Sequence, residues 1–181
     1  MNSLRLFFAI DLPFSLKEKI ATLVEEIPLP NCPNYTPLEN LHLTVLFLGN
    51  IKIEELAKIM AIGEKVLSGY PAFDLYFKDI SGAPNEKCCR MIWLNGEPNA
   101  FIKQIKEHLE QELENAKINF QKENRDFKIH ITLARFKPTK LSIKQIVFPA
   151  HIKVNEIILM ESKLQKPHPV YFSLKHFSLV N

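Results

Sequence analysis

Leu41-His42-Leu43-Thr44-Val45-Leu46-Phe47 and, 88 positions further on, Ile129-His130-Ile131-Thr132-Leu133-Ala134-Arg135 share one pattern: apolar, His, apolar, Thr, apolar. Along an extended strand successive side chains point to opposite faces. Leu41, Leu43 and Val45 in the first heptamer, and Ile129, Ile131 and Leu133 in the second, therefore form an apolar face for a core, with a His-Thr pair on the other side. Chance would place two His-x-Thr triplets in a chain of this composition about once in a hundred. The flanking sequence repeats as well. A short apolar strand, a helix and the His-x-Thr strand follow one another over residues 4–48, and the same order recurs over 91–135. If the two units pack about a pseudo-two-fold axis, the two His-Thr faces meet in one cleft.

Outward from these strands the chain reads as α+β. Leu4–Ile10 is a buried strand, and Ser15 with Glu18 fits a capping box for a helix whose apolar face is Leu16, Ile20, Leu23, Val24 and Ile27. Pro28, Pro30, Pro33 and Pro37 predict an extended connection to the strand Leu41–Leu48, which Gly49-Asn50 closes as a turn. A helix is expected from about Ile53 to Leu67, with Ile53, Leu56, Met60, Gly63 and Leu67 on one side. Strands are expected at Phe73–Lys78 and Met91–Leu94, and a helix follows Pro98 with Ile102, Ile105, Leu109, Leu113 and Ala116 inward. Lys117–Lys128 reads as a polar loop and Phe127–Arg135 as a strand. Val154–Met160 and Tyr171–Leu179 form a last strand pair, joined through Pro167 and Pro169.

With 181 residues, 46% hydrophobic and 24% charged, the chain is expected to form a single domain (1–181) able to bury a core without staples. Five glycines against twelve prolines speak against glycine-rich phosphate loops. No run approaches the ~18 apolar residues of a membrane span, and the N-terminal apolar run meets Asp11 without a small-residue cleavage site. Cys32, Cys88 and Cys89 form neither a disulfide framework nor a CxxC motif, which predicts a cytoplasmic protein with free thiols. The net charge of +3 is uneven. Residues 1–116 carry 11 basic and 16 acidic side chains, whereas residues 117–181 carry 12 and 4. A basic C-terminal third suits a phosphate-bearing partner.

Two imidazoles across a cleft can act as general base and general acid near neutral pH, and threonine hydroxyls beside them can donate hydrogen bonds to phosphoryl oxygens. Together they suit displacement at phosphorus, and a strained cyclic phosphodiester is a fitting substrate. No HExxH, Cys/His cluster, GxSxG elbow, Walker loop or GxGxxG occurs, so neither a metal nor another cofactor is expected. The residues leave open which histidine is acid and which is base.

The paired motifs, with the opening Arg5-Leu-Phe-Phe-Ala-Ile-Asp-Leu-Pro13, His42-Leu-Thr-Val-Leu-Phe-Leu-Gly49 and His130-Ile-Thr-Leu-Ala-Arg135, resemble the 2H phosphoesterase superfamily. Within it they are similar to the RNA 2′,3′-cyclic phosphodiesterases, historically called 2′-5′ RNA ligases. The resemblance covers nearly the whole chain. It implies a bilobed fold of two pseudo-symmetric lobes, each with an antiparallel-type sheet and flanking helices, around an active cleft. It also implies metal-independent hydrolysis of RNA 2′,3′-cyclic phosphate termini, tRNA-derived ones among them, to 2′-phosphomonoesters by a monomer. By motif, His42 would donate a proton to the departing 3′ oxygen and His130 would accept one from water. Thr44 and Thr132 would hold phosphate oxygens, and Arg135 would contact phosphate or RNA at the rim. The alternatives are a non-catalytic nucleotide or RNA-end binding module, and a phosphodiesterase for 2′,5′-linked oligonucleotides or small cyclic nucleotides. The Pro167-His168-Pro169 turn departs from the glycine-containing turn common in such proteins, and His168 is expected at the surface. Trp93, between Ile92 and Leu94, is expected in the core rather than against a base. One of Phe7 and Phe8 should face the cleft, Tyr171 is open between core and cleft, and Lys128, Lys137 and Lys140 could attract an RNA backbone.

Overall fold

The computed structural model describes residues 2–29, 33–123, 126–141 and 143–180; Pro30 and Cys32 near the expected extended connection, and residues 124–125 of the polar loop, lie outside this set. The chain runs β1 (Ser3–Asp11), α1 (Phe14–Glu25), β2 (Asn34–Tyr35), β3 (His42–Lys52), α2 (Leu56–Leu67), β4 (Phe73–Ala83), β5 (Cys89–Gly96), α3 (Ala100–Asn115), β6 (His130–Thr139), β7 (Ile146–Val154), β8 (Glu156–Lys163) and β9 (Val170–Ser178). Two antiparallel sheets result, one in the order β3-β1-β8-β9 and the other in the order β2-β6-β5-β4-β7. This is the expected α+β bilobed architecture with flanking helices.

Apart from β2, which adds a fifth strand at the edge beside β6, the sheets correspond strand for strand. Each His-x-Thr strand pairs with the first strand of its own unit, β3 with β1 and β6 with β5. The remaining places are filled from elsewhere in the chain: β8 and β9 beside β1, and β4 and β7 beside β5. The two heptamers show one alternation. Leu43, Val45 and Leu46 are buried, as are Ile131, Leu133 and Ala134, while both histidines and both threonines are half-exposed. The same rule sorts β1. Leu6, Phe8 and Ile10 join Leu16, Ile20 and Val24 of α1 in the main core, whereas Phe7 and Ala9 turn to the other face with Ile158 and Met160.

Several boundaries differ from the sequence expectations. α1 starts two residues earlier than a Ser15 cap would place it: Pro13 is the cap, its carbonyl accepts from the N–H groups of Leu16 and Lys17, and no described side chain caps the helix. Gly49-Asn50 does not end β3. Gly49, at φ +78°, sits in a bulge where Leu6 pairs with Gly49 and Phe7 with Phe47, and the strand continues to Lys52. A short 3-10 turn over Ile53–Glu55 precedes α2, which leaves Ile53 exposed and presents Ile59, Ile62, Gly63, Val66 and Leu67 to the interior. β6 begins only at His130. The expected strand Val154–Met160 is two elements, because Val154 ends β7 and Glu156 opens β8. β7 itself escapes the sequence reading: it is an edge strand, and Pro149 within it is tolerated at an edge. Of the cysteines described, Cys88 and Cys89 are free thiols.

Candidate active site

The two His-x-Thr faces line one cleft of about 760 Å³. β3 contributes His42 and Thr44, β6 contributes His130, Thr132 and Arg135, β1 contributes Arg5 and Phe7, and β9 contributes Tyr171. The sequence-derived set, His42, His130, Thr44, Thr132 and Arg135, thus shares a single cavity.

The histidines are held in the same way. His42 Nδ1 lies 2.7 Å from the main-chain carbonyl of Asn40, and His130 Nδ1 lies 2.8 Å from that of Lys128. In both cases the acceptor belongs to the residue two positions before the histidine. A carbonyl only accepts, so each Nδ1 carries a proton, and in the neutral ring the lone pair is on Nε2. For His42 that atom meets the Thr44 hydroxyl at 3.1 Å, and the hydroxyl donates to it.

The surroundings of the two rings differ. His42 sits in an aromatic corner, 5.1 Å from the Phe7 ring and 5.1 Å, edge-on, from Tyr171. Burial there lowers its pKa below the usual imidazole value. The Asn40 carbonyl and the Asp11 carboxylate oppose that shift, and Lys17 and His130 add to it. Asp11 stands directly across from His42 in the β1–β3 register and pairs with the nearly buried Lys17 at 2.6 Å. Burial raises the Tyr171 pKa, against the pull of Arg135 and Arg5, so its hydroxyl stays protonated at neutral pH. His130 instead lies under Trp93, with ring centroids 3.9 Å apart.

Trp93 is therefore not a core residue. Ile92 and Leu94 are fully buried on one face of β5, so alternation turns Trp93 to the cleft. Its Nε1 is the one buried side-chain polar atom without a hydrogen-bond partner among the described residues. His168 also differs from expectation, since it is half-buried and lines the cleft beside Pro169. Of Phe7 and Phe8, Phe7 faces the site, and Lys128 is the only one of the three named lysines in its wall. Arg135 extends from the rim with Nη1 2.9 Å from Met91 Sδ, and Arg5 stacks its guanidinium over Phe47 at 4.7 Å.

Asn40, the cleft position of Trp93 and the place of Arg5 in the cleft lie outside the sequence expectations. Strand alternation, used for the two histidines, would also have found Trp93. Nothing local marks Asn40, because its contribution to His42 is a carbonyl that every residue has. Among the described residues no group of three or more His, Cys, Asp or Glu side chains is placed to hold a metal ion.

Known proteins resemble this chain in sequence and in fold. The sequence profile of the 2′-5′ RNA ligase superfamily matches residues 13–166. The chain is 31% identical to an RNA 2′,3′-cyclic phosphodiesterase of Methanocaldococcus jannaschii, over 96% of this chain and 100% of that one. It is 27% identical to the protein of the same description from Archaeoglobus fulgidus, over 96% and 99%. The fold superposes on TT0787 of Thermus thermophilus with a TM-score of 0.86 at 28% identity, covering 97% of each chain. It superposes on Escherichia coli LigT complexed with 3′-AMP with a TM-score of 0.85 at 27% identity, covering 99% and 100%.

Proposed function

The chain belongs to the 2′-5′ RNA ligase superfamily, the LigT-like branch of the 2H phosphoesterases, and on that premise we propose that it is an RNA 2′,3′-cyclic phosphodiesterase that hydrolyses cyclic termini to 2′-phosphomonoesters without a metal. One observation carries the reading: two histidines on equivalent strands line the same cleft, each fixed as the Nδ1–H tautomer by the carbonyl two residues earlier.

In this mechanism a water attacks phosphorus opposite the 3′ oxygen and gives its proton to His130 Nε2. The P–O3′ bond breaks, and His42 Nε2–H protonates the departing O3′, leaving the phosphate on the 2′ oxygen. Burial favours neutral His42 in the free protein. The bound phosphodiester monoanion acts in the opposite direction and brings the acid form into range. Protonation of His42 Nε2 also reverses its bond to Thr44, so that the hydroxyl proton becomes available to a phosphate oxygen. Thr132 serves the second non-bridging oxygen, and Arg135 meets the charge at the rim.

The experiment is a short RNA ending in a 2′,3′-cyclic phosphate, incubated with protein and EDTA, with the product's phosphate position determined. A 2′-phosphate is expected, with a loss of about 10²- to 10⁴-fold in His42→Ala and in His130→Ala. Activity only after metal is restored would overturn the mechanism. Tight nucleotide binding without product would leave a binding module.

A further inference from the structure

A second cavity, of about 730 Å³, adjoins the cleft and shares Phe127 and Lys128 with it. Its floor belongs to the same sheet face as His130. Asn95 on β5 pairs directly with His130 on β6, and Asp79 on β4 pairs directly with Asn95. Directly opposed residues of antiparallel strands project to one side, so these three form a row that leads from the catalytic strand into the second cavity. In that row Asn95 Nδ2 donates to Asp79 Oδ1 at 2.7 Å and to Ser81 Oγ at 2.8 Å, and Asp79 is buried.

The rim has a different character. Lys78, Lys103, Lys128 and Lys144, all exposed, come from β4, from α3 and from the segments leading into β6 and β7. Among the described residues Glu86 is the only acidic side chain lining the cavity besides the buried Asp79. Four cations therefore surround a floor whose buried carboxylate repels anions. A polyanion entering this cavity would keep its phosphates at the rim and turn its sugar and base edges to Asp79, Asn95 and Ser81.

An RNA with a 2′,3′-cyclic phosphate has both terminal ribose oxygens tied up at the histidines, and the polymer leaves only through the 5′ oxygen. We propose that the second cavity is the subsite for the nucleotides immediately 5′ of the cyclic terminus, with the rim lysines on backbone phosphates and the polar row on ribose and base. This rests on the phosphodiesterase reading above and adds to it a preference for polymer over mononucleotide.

The test compares wild type with a Lys103→Glu/Lys144→Glu double variant, whose changes lie on the surface outside the cleft. Two substrates are used: adenosine 2′,3′-cyclic phosphate, and a tetranucleotide ending in the same group. The variant is expected to lose about tenfold or more in kcat/KM on the tetranucleotide at low salt, to show a shallower salt dependence, and to keep wild-type activity on the mononucleotide. An equal effect on both substrates, or none on either, overturns the subsite. Affinity for a tetranucleotide ending in a 2′-phosphate separates the two readings. If wild type hydrolyses neither substrate, the phosphodiesterase reading fails, and the subsite then stands or falls on whether the variant binds this RNA more weakly.

Discussion

The side-chain amide of Asn40 donates a 2.8 Å hydrogen bond to the carbonyl of Pro169, while the main-chain carbonyl of Asn40 accepts from His42 Nδ1. Asn40 closes the 3-10 turn Leu38–Asn40 just before β3, is almost fully buried, and so ties the β8–β9 turn to the support of a histidine. Replacement by Ala leaves a Pro169 oxygen without its donor, at a cost of about 1–3 kcal/mol, and loosens the carbonyl that fixes the His42 tautomer. Asn40→Ala is expected to lower kcat about tenfold with KM little changed. Steady-state kinetics on a cyclic-phosphate RNA, beside a melting curve, checks this; a lower Tm with unchanged kcat would mean that Asn40 is structural alone.

Trp93 presents its ring to His130, and its own N–H has no hydrogen-bond partner among the described residues. An aromatic face stabilises an adjacent imidazolium by about 0.5–2 kcal/mol, and in the proposed mechanism that cation forms on His130 when it takes the water's proton. Trp93→Leu is expected to cost roughly tenfold in kcat. Trp93→Phe keeps an aromatic face and removes the unsatisfied donor, so its Tm should equal or exceed that of wild type with most activity retained. Equal activity in the two variants would remove the stack from the mechanism.

The His42 titration can be followed by NMR. Burial places its midpoint below 6.5, and a bound phosphate anion should move it up. Asp11→Asn removes a carboxylate that raises this pKa, so the midpoint should fall further. The sign for stability follows. Folding lowers the affinity of this imidazole for a proton, so its contribution is complete above about pH 6.5 and is lost as pH falls through that value towards the folded pKa. A midpoint at or above 6.5 in the free protein would contradict the buried environment.

Gly63 on α2 faces Phe177 of β9 so closely that a Cβ would lie 2.6 Å from Cζ and 2.8 Å from Cε1 of that ring. In an open helix Gly→Ala gains about 1 kcal/mol. Here the Phe177 ring is itself buried and cannot swing away, and overpacking of this kind costs about 1–3 kcal/mol. Gly63→Ala should therefore lower Tm, with activity of the folded fraction intact. A raised Tm would show that the interface yields.

The features legible in the amino-acid sequence are those that depend on local period. Alternation along His42–Val45 and His130–Leu133 showed which face is apolar and which carries chemistry, and the spacing in Ala100–Asn115 showed which side of α3 packs inward. Those features follow from backbone geometry over a few residues and hold wherever the strand is placed. Tertiary structure decided which strands share a sheet, for β8 and β9 join the sheet of β1 more than a hundred residues away while their neighbour β7 joins β4. It also decided that Trp93 stacks on His130, and that Asn40 reaches Pro169 across 129 positions. These contacts depend on register and on the packing of distant segments, which a local pattern does not encode, whereas the direction of a side chain on its own strand is local.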